Sequence, residues 1–392
     1  MTARSPFPDR RRFLALALLA SLSLTGLAGC GHVIRPELAP NHGRFNFSDP
    51  PCRLSPKPEL GPGDVGLRYL GAGGLYIEWQ GSALLMSPFF SNPGILQVPL
   101  GHLVPDAHAV REGLGGMDLS RVRAIVAGHS HYDHLGDLPL VATDYVPHVP
   151  LYVNRTGANA LAATAVRDRT RILEDQPDWI YLKDERGNDL PIRFRKVPSK
   201  HAPHVWGILL ASGQIHKPWT PPWEKHHLLC LKTGNTYAFV IELLSPASPH
   251  QTLFRIYYQD AANPKGVGAP PGPRESYDLA VLCMASYIFV RDHPGSILGA
   301  LKPRHVLVTH YEDFFRDRAY PVRFVFPLTD FLANRFLRRT RAALQGVAAR
   351  GPENPRQVCG PSSPEWTMPM PGEWVRFRVG TSPPSPTSSA PY

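Results

Sequence analysis

Six residues, His129-Ser130-His131-Tyr132-Asp133-His134, hold three histidines and an aspartate soon after the apolar run 122–127. That run is short and contains one charged residue, Arg123, and it is typical of a buried strand in a parallel sheet. Imidazole nitrogens and carboxylate oxygens are the ligands of Zn²⁺ and related first-row metals. In a loop that is first extended and then turns, positions 129 and 131 point to one side, whereas 133 and 134 point to another. The segment therefore predicts a metal site in which one loop serves two adjacent ions.

The composition is that of a globular protein. The chain has 392 residues, of which 43% are hydrophobic and 19% charged, and these values exclude bulk disorder. Its 43 prolines indicate many rigid loops and few long helices. The mean hydropathy of −0.19 excludes a protein with several membrane spans. The length suits one large α/β domain or two ordinary ones.

Strand and helix patterns extend along most of the chain. Strands are predicted at residues 67–70, 75–79, 83–86, 122–127, 194–197, 237–243, 254–258, 279–284, 305–309 and 373–379. Helices are predicted at 135–143, 156–166 and, with a basic face, 329–344. Strands come first and are then mixed with helices. We therefore expect an α/β (α+β) fold with two packed sheets and helices outside them.

The N-terminus has the parts of an export signal. Three arginines at 10–12 precede an apolar run at 13–24, and Leu27-Ala28-Gly29-Cys30 follows. This end resembles the lipobox of bacterial lipoproteins, in which Cys30 receives the lipid and residues 1–29 are removed. A single membrane anchor is disfavoured because the apolar run is shorter than the roughly 20 residues needed to span. The run 9–14 also resembles a twin-arginine signal, so the general and the twin-arginine export routes both stay open.

The remaining chain divides into three parts. Residues 30–63 are polar and rich in proline, and we expect a tether there. The folded domain is predicted at 64–379, and a disordered Ser/Pro-rich tail is predicted at 380–392. We expect a cell-envelope protein anchored by lipid at Cys30. In a Gram-negative cell its destination would be the periplasmic side of the outer membrane.

The cysteines outside the lipobox number four. Cys230 and Cys283 lie in apolar runs and are interpreted as buried thiols. Cys52 and Cys359 have suitable positions for a bridge between the two ends of the chain, but the sequence leaves that bridge open. No pair has the spacing of a zinc or redox motif, so the metal chemistry rests on the histidines.

The pattern His-x-His-x-Asp-His after a strand resembles the hallmark of the metallo-β-lactamase superfamily of hydrolases. The resemblance covers about residues 64–379, is most specific at 129–134, and extends to the glycine-rich opening at 70–79. It implies a four-layer αβ/βα sandwich with a dinuclear metal site on one edge. It also implies two divalent ions, most often Zn²⁺ with Mn²⁺ or iron as alternatives, and a hydroxide between them that attacks the substrate.

The same resemblance implies further ligands downstream, each at the end of a strand. The implied set is His129, His131 and His201 at the first ion, Asp133, His134 and His310 at the second, and Asp260 bridging both. Three alternatives stay open, because His204, Asp278 and His305 lie near these positions. Each of them is less well placed with respect to the end of its strand.

Catalytic roles are predicted for two of the implied ligands. Asp133 and Asp260 would orient the nucleophile and relay protons to the leaving group. His204, Tyr311 and Tyr132 lie close to the implied ligands in the sequence and are candidates for substrate contact.

The insert at 205–235 is rich in aromatic residues. If it forms a lid over the site, Trp219 and Trp223 would contact the substrate. The alternative is an aromatic excursion that packs on the domain. The sequence leaves both interpretations open.

One position departs from the family pattern. Members usually have an aspartate before proline at the end of the third strand, where this chain has Ser87-Pro88. That aspartate normally hydrogen-bonds a metal-ligating histidine, and a neutral hydroxyl orients a histidine without polarising it as a carboxylate does. We therefore expect an altered metal affinity within the same family.

The substrate is predicted from two branches that the sequence resembles, the phospholipase D that hydrolyses N-acylphosphatidylethanolamine and the ascorbate-6-phosphate lactonases. The net charge is +10, or +7 without residues 1–29, which suits anionic lipid or polyanionic substrates. We predict hydrolysis of a phosphodiester or phospholipid-like substrate, with lactone, ester or thioester hydrolysis as the runner-up. A non-catalytic metal-binding lipoprotein is the alternative of another class. Nucleic acid is disfavoured because nuclease members of the superfamily carry extra domains.

Overall fold

The computed structural model describes residues 53–54, 57–204, 207–271, 276–348 and 366–379. They form two mixed sheets, whose strands are numbered along the chain. The first sheet contains, from edge to edge, β1 (Arg53–Leu54), β15 (Trp374–Arg378), β2 (Asp64–Gly71), β3 (Gly74–Trp79), β4 (Ser82–Met86), β5 (Val122–Val126), β6 (Leu151–Val153) and β7 (Thr170–Ile172). The second contains β14 (Trp366–Thr367), β13 (His305–Thr309), β12 (Leu279–Cys283), β11 (Ser248–Tyr258), β10 (Thr236–Ser245), β9 (Asp189–Ser199) and β8 (Ile180–Lys183).

The two sheets share one plan. In the first, β15, β2, β3 and β4 pair antiparallel, and β4 to β7 pair parallel. In the second, β8 to β11 pair antiparallel, and β11 to β14 pair parallel. The inner faces meet in a fully buried layer that includes Ile77, Val126, Phe194, Ile241 and Val281. The apolar alternation along these strands produces this layer, because successive side chains point to opposite faces.

Helices cover the outer faces of the sheets. They are α1 (Gln97–Leu100), α2 (Ala107–Leu114), α3 (Tyr132–Leu135), α4 (Leu138–Leu140), α5 (Arg155–Leu161), α6 (Gly295–Leu301) and α7 (Asp330–Ala348). The longest helix is α7, which buries Phe336 against Tyr287. The two ring centroids are 5.1 Å apart and the rings meet edge to face. In the part of the chain that the structure describes, no helix combines the length and the apolar character needed to cross a membrane.

The fold class predicted from the sequence is confirmed, because two packed mixed sheets lie between outer helices. Each predicted strand is present, and most are longer than predicted. The helix expected at 135–143 is instead split into α3, α4 and one π turn at Val141–Tyr145, and Pro139 lies inside α4. A proline inside a helix removes a backbone donor and interrupts the hydrogen-bond ladder.

The start of the ordered structure and the position of Cys230 differ from the prediction. β1 lies inside the stretch predicted as a tether, because Arg53 and Leu54 pair with Val375 and Trp374. Ordered structure therefore begins before residue 64. Cys283 is buried at the end of β12, whereas Cys230 is half-buried in a short 3₁₀ turn rather than in a strand. The export signal, Cys30, Cys52, Cys359 and the tail lie outside the described residues.

Candidate metal centre

The implied ligands all follow strand ends at one edge of the sandwich. His129 lies three residues after β5, and His201 two residues after β9. Asp260 lies two residues after β11, and His310 directly follows β13. The carboxyl ends of strands that run in the same direction meet at one edge of a sheet, and ligands of α/β proteins bind there. The topology therefore brings together side chains that are up to 181 positions apart in the sequence.

Three histidines form the first group of possible ligands. One nitrogen each of His129, His131 and His201 lies within 4.8 Å of the others. The ring centroid of His201 is 4.6 Å from that of His129 and 4.8 Å from that of His131. His129 and His131 are buried, and His201 is half-buried. This spacing suits three imidazoles around one ion.

Each of these rings has one nitrogen in a hydrogen bond, which leaves the other for a metal. Thr233 Oγ1 donates to the Ala211 carbonyl at 3.3 Å, so it accepts from His131 Nε2 at 2.9 Å. His201 Nδ1 donates to the Ala202 carbonyl at 2.6 Å, and His129 Nδ1 meets Asp260 Oδ1 at 3.1 Å. Partners of this kind fix the tautomer and the orientation of metal-ligating histidines. Nδ1 of His131 and Nε2 of the other two are thereby left for metal binding.

The second group joins an aspartate to two histidines. Asp133 Oδ2 lies 3.4 Å from Nε2 of His134 and 3.4 Å from Nε2 of His310. Ligand atoms at 2.0–2.2 Å from a tetrahedral zinc ion lie about 3.4 Å from one another. All three side chains are buried. Each distance matches two neighbouring ligands of one ion, with Asp133 between the two histidines. One ligand atom each of Asp133 and His134 also lies within 4.8 Å of one on His129, so the second group adjoins the first.

Several buried nitrogens of this edge have no hydrogen-bond partner among the described residues. They are Nε2 of His129, both ring nitrogens of His134 and Nδ1 of His310. Unpaired buried polar atoms are costly in a protein interior, and such a cluster is uncommon without a ligand. With two carboxylates beside them, these nitrogens fit divalent metal ions. The site therefore fits metal binding by its donor chemistry as well as by its spacing.

Asp260 lies between the two groups. Its Oδ2 accepts from the Gly128 amide at 3.0 Å and from Ser87 Oγ at 3.1 Å, and it lies 3.7 Å from His134 Nδ1. A Cβ on Gly128 would lie 2.6 Å from this oxygen, so only glycine permits the approach. Ser87 thus contacts the carboxylate rather than a histidine. The carboxylate next to His129 comes from Asp260, whose Oδ1 lies 3.1 Å from His129 Nδ1.

Burial and the neighbouring charges set the protonation states of the cluster. Burial lowers the pKa of His134 to about 4 and holds the pKa of His131 and His201 well below the usual range. Burial alone would raise the pKa of Asp260, but His129 and His134 outweigh it and lower the pKa to about 2. These imidazoles are therefore neutral and this carboxylate is ionised at neutral pH. Those are the forms that bind metals.

The sequence did not reveal the residues that hold His310. Its backbone is left-handed, with φ of 53°, which is uncommon for a residue other than glycine. The His310 amide donates to Tyr69 Oη at 2.7 Å, and Tyr69 donates to the buried carboxylate of Glu312. Glu312 also accepts from the Ala72 amide, which lies in the tight turn beside the site. No sequence signal connects Tyr69 to a glutamate 243 positions away.

The predicted substrate contacts divide into two sets. His204 lies beside the first group of histidines. Its ring centroid is 5.3 Å from that of His131 and 4.8 Å from that of His201. Tyr132 is buried beside Asp133, and its hydroxyl has no partner among the described residues. The prediction for Tyr311 is not supported, because this side chain is fully buried and its hydroxyl donates to the Pro369 carbonyl at 2.8 Å. The left-handed turn at the preceding histidine directs it into the core.

The described part of the insert, residues 207–235, packs on the domain. Trp223 is only 3% exposed and belongs to the buried hydrophobic cluster that also includes helix residues such as Val110 and Phe336. It therefore does not face substrate as a lid residue would. Trp219 is half-buried and stacks on His226 with ring centroids 3.8 Å apart. The insert nevertheless reaches the metal edge, because it provides Thr233. The aromatic excursion is therefore the better description of the two tryptophans.

Comparisons with known proteins add the following findings. No family model matches the chain, and no curated protein matches it. Among solved structures, it is similar to a metallo hydrolase, Igni18, from Ignicoccus hospitalis, with 14% identity, a TM-score of 0.41 and coverage of 81% of this chain and 100% of that one. An isothiocyanate hydrolase from Delia radicum gut bacteria shows 14% identity, a TM-score of 0.43 and coverage of 80% and 99%.

A further similar structure is CmlA, a diiron β-hydroxylase from Streptomyces venezuelae, with 13% identity and a TM-score of 0.43. The match covers 82% of this chain and 55% of that one. At these identities and scores the similarities assign no substrate or reaction to this chain. The functional argument therefore rests on the metal edge itself.

Proposed function

We propose that the chain is a metal-dependent hydrolase with a dinuclear centre. The observation that carries this proposal is the pair of three-ligand groups at one edge, with the carboxylate of Asp260 between them. Structural zinc sites are closed by four protein ligands, whereas catalytic sites have three and keep one position open. The rings of His129 and His134, one from each group, are 4.2 Å apart, so the two groups are adjacent. Zn²⁺ suits these nitrogen and oxygen ligands, and Mn²⁺ or iron are the alternatives.

Two bound ions would supply an acidic water molecule and an electrophilic partner for a substrate oxygen. The residues around them have separate tasks. Asp133 directs Oδ2 at His134 and His310, so its Oδ1 is the oxygen left to hold a proton of the attacking water. Asp260 orients His129 through the contact between its Oδ1 and His129 Nδ1, and its side chain lies between the two groups.

His204 is the candidate for contact with a substrate oxygen. Its Nδ1 accepts from the Leu210 amide at 3.0 Å, so the neutral ring carries its proton on Nε2. Burial lowers the pKa of His204 to about 4, and the ring is therefore neutral at pH 7. A neutral imidazole in this position can donate a hydrogen bond from Nε2 to a substrate oxygen and so hold the substrate.

The substrate that we propose is a phosphodiester or a phospholipid-like molecule. The net charge of the chain favours an anionic substrate. Lactone, ester or thioester hydrolysis is the second candidate, because the same ligands would polarise a carbonyl oxygen. A protein that binds metal without catalysis would need no open ligand position.

We also propose that the protein is anchored in the cell envelope by lipid on Cys30. Replacing Cys30 with alanine should then release the protein into the soluble envelope fraction. Fractionation of cells that express the variant measures this directly. A variant that stays on membranes through washing with high salt would contradict the lipid anchor.

The activity is tested with purified, metal-replete protein and three chromogenic substrates, namely bis-p-nitrophenyl phosphate, a lactone and a thioester. Turnover of the phosphodiester supports the proposed function. Turnover of only the lactone or thioester would replace the substrate class and keep the hydrolase. A protein that binds metal and turns over none of the substrates would support the non-catalytic alternative.

A further inference from the structure

A cavity of about 380 Å³ lies beside the metal centre. It opens between the loop that follows β4, the segment 101–106, the residues after α3 and one side chain of the insert. Its lining is mixed: Phe89, Leu103, Val104 and Leu228 are apolar, whereas Ser91, Gln97, His102, Asp106 and Asp137 are polar. A cavity of this size is in the usual range for small-molecule sites, which bury most of their ligand.

The cavity shares a wall with the metal-binding segment. Gly136 and Asp137 line it, and they follow His134 by two and three residues. On the same side, the Phe89 ring meets the Tyr132 ring edge to face at 5.8 Å. The cavity therefore lies next to α3, the helix that carries Asp133 and His134.

Two of the polar residues that line the cavity, Asp137 and Ser91, are already paired with each other. Asp137 accepts from the amides of Phe90 and Ser91 at 2.6 and 2.9 Å, and from Ser91 Oγ at 2.6 Å. Ser91 Oγ in turn accepts from the Asp106 amide at 2.8 Å. These groups have little hydrogen-bonding capacity left for a polar ligand. An apolar ligand leaves their hydrogen bonds intact.

The stretch 95–104, which provides part of the cavity wall, is apolar and exposed. Nine large hydrophobic side chains are exposed among the described residues, and four of them lie within one ten-residue stretch, namely Ile95, Leu96, Leu100 and Val104. From residue 91 to residue 105 the sequence contains no Asp, Glu, Lys or Arg. Exposed apolar surface that is concentrated in this way marks a binding site more often than single exposed side chains do.

We propose that this cavity binds an alkyl or acyl chain of the substrate, which enters past Leu100 and Val104. Two observations favour an uncharged, flexible chain: the apolar side chains on part of the wall continue into an exposed apolar stretch, and the polar groups of Ser91 and Asp137 are already paired. The proposal rests on the proposed function, because it makes the substrate of that metal site a lipid-like molecule. Binding of the chain does not itself require turnover, so the two proposals can fail separately.

The test measures equilibrium binding of butyl, octyl and dodecyl phosphonate to the full, metal-loaded chain by calorimetry, below micelle-forming concentrations. Each methylene group that leaves water should tighten binding about fourfold until the cavity is full. Leu100→Asp and Val104→Asp place a charge in the stretch 95–104 and should flatten this dependence on chain length. Phe331→Asp is the matched control, because Phe331 is 67% exposed on α7, and it should keep the wild-type dependence.

Two outcomes would overturn the inference. One is equal affinity for the three phosphonates, which would leave the apolar stretch for contact with another protein. The other is the same dependence on chain length in the wild type and in both aspartate variants of the stretch. A chain that binds dodecyl phosphonate tightly, responds to these two variants and hydrolyses no phosphodiester would support the cavity and refute the proposed function. Hydrolysis of small phosphodiesters without any dependence on chain length would do the reverse.

Discussion

The metal edge and the cluster around Glu242 are both buried groups of charged and polar side chains, but they differ in how completely they are paired. Glu242 is 1% exposed, and each of its carboxylate oxygens accepts two hydrogen bonds from one guanidinium, Arg255 at 2.7–2.8 Å and Arg193 at 2.6–2.8 Å. At the metal edge, four ring nitrogens of His129, His134 and His310 have no such partner among the described residues. The first arrangement is complete in the protein alone, whereas the second needs an additional group.

This difference separates a structural cluster from a functional one. Buried ion pairs that satisfy each other contribute little that a well-packed apolar group would not, but removal of one member leaves an uncompensated charge. Unsatisfied donors and acceptors are retained where a ligand or a reaction uses them. The same kind of substitution should therefore change stability in one cluster and metal binding in the other.

The largest effect is expected from Asp133→Asn at the metal edge. The amide keeps the shape of the side chain, but it is neutral, so it cannot accept a proton or bind a cation as the carboxylate does. The rate on the substrate that the wild type turns over best should fall by on the order of a hundredfold or more. Circular dichroism should show an unchanged fold. Full activity of the variant would refute the catalytic role of the motif at 129–134.

The complementary change is Glu242→Gln, which should lower the free energy of unfolding by about 3 kcal/mol because two guanidinium groups lose their carboxylate. Denaturant titration measures this, and the metal content should equal that of the wild type. Loss of metal from this variant would contradict the separation of a structural cluster around Glu242 from a metal-binding cluster.

The stability lost in Glu242→Gln should depend on pH. Burial alone would raise the pKa of Glu242, but the hydrogen bonds from Arg255 and Arg193 outweigh it, so the pKa in the folded chain lies below its ordinary value of 4.5. The ionised form therefore stabilises the fold above about pH 4.5, and this contribution is lost as the pH falls through the folded pKa. Between neutral pH and acid pH, the stability difference between wild type and Glu242→Gln should shrink. A constant difference would contradict the paired carboxylate.

A smaller effect is expected from Thr233→Val, which removes the hydrogen bond to His131 Nε2 and leaves the ring free to turn. Metal affinity should fall by about tenfold to a hundredfold, as for other residues that orient a metal ligand. Thr233→Ser keeps the hydroxyl and should restore the affinity. Competition with a chromophoric chelator measures both variants. Equal affinity in the valine variant and the wild type would show that this contact does not orient the ring.

The smallest effect is expected from Tyr69→Phe, which removes the hydroxyl between the His310 amide and Glu312. The more weakly bound ion should lose about tenfold in affinity, because the left-handed turn at His310 is held less firmly. Tyr76→Phe is the control, since Tyr76 is also fully buried and its hydroxyl contacts Glu78 rather than the metal edge. The same loss in both variants would indicate a general packing effect.

The sequence revealed the part of the site that is local in the chain. The motif at 129–134 places four polar residues within six positions, so its chemistry could be inferred without a fold. His201, Asp260 and His310 needed a family resemblance, because only the meeting of strand ends makes them neighbours. Their positions at this edge agree with that expectation, although metal binding by each of them remains a prediction.

The sequence failed where backbone geometry decides the outcome. Tyr311 follows the left-handed residue His310 and turns into the core, which residue spacing does not reveal. The sequence left open whether Trp223 faces the substrate or packs on the domain, and the structure shows it buried against the domain. The short strands β6, β7, β8 and β14 were not predicted, because runs of two to four residues give too little alternation to recognise.

The central claim, two groups of ligands that hold two ions, is tested most directly by the metal stoichiometry of the purified protein. After incubation with Zn²⁺ and removal of the excess, elemental analysis should give about two ions per chain in the wild type. His310→Ala should bind about one, because it removes a ligand of the second group and leaves His129, His131 and His201 in place. A wild-type chain that saturates at one ion under metal-replete conditions would contradict the account.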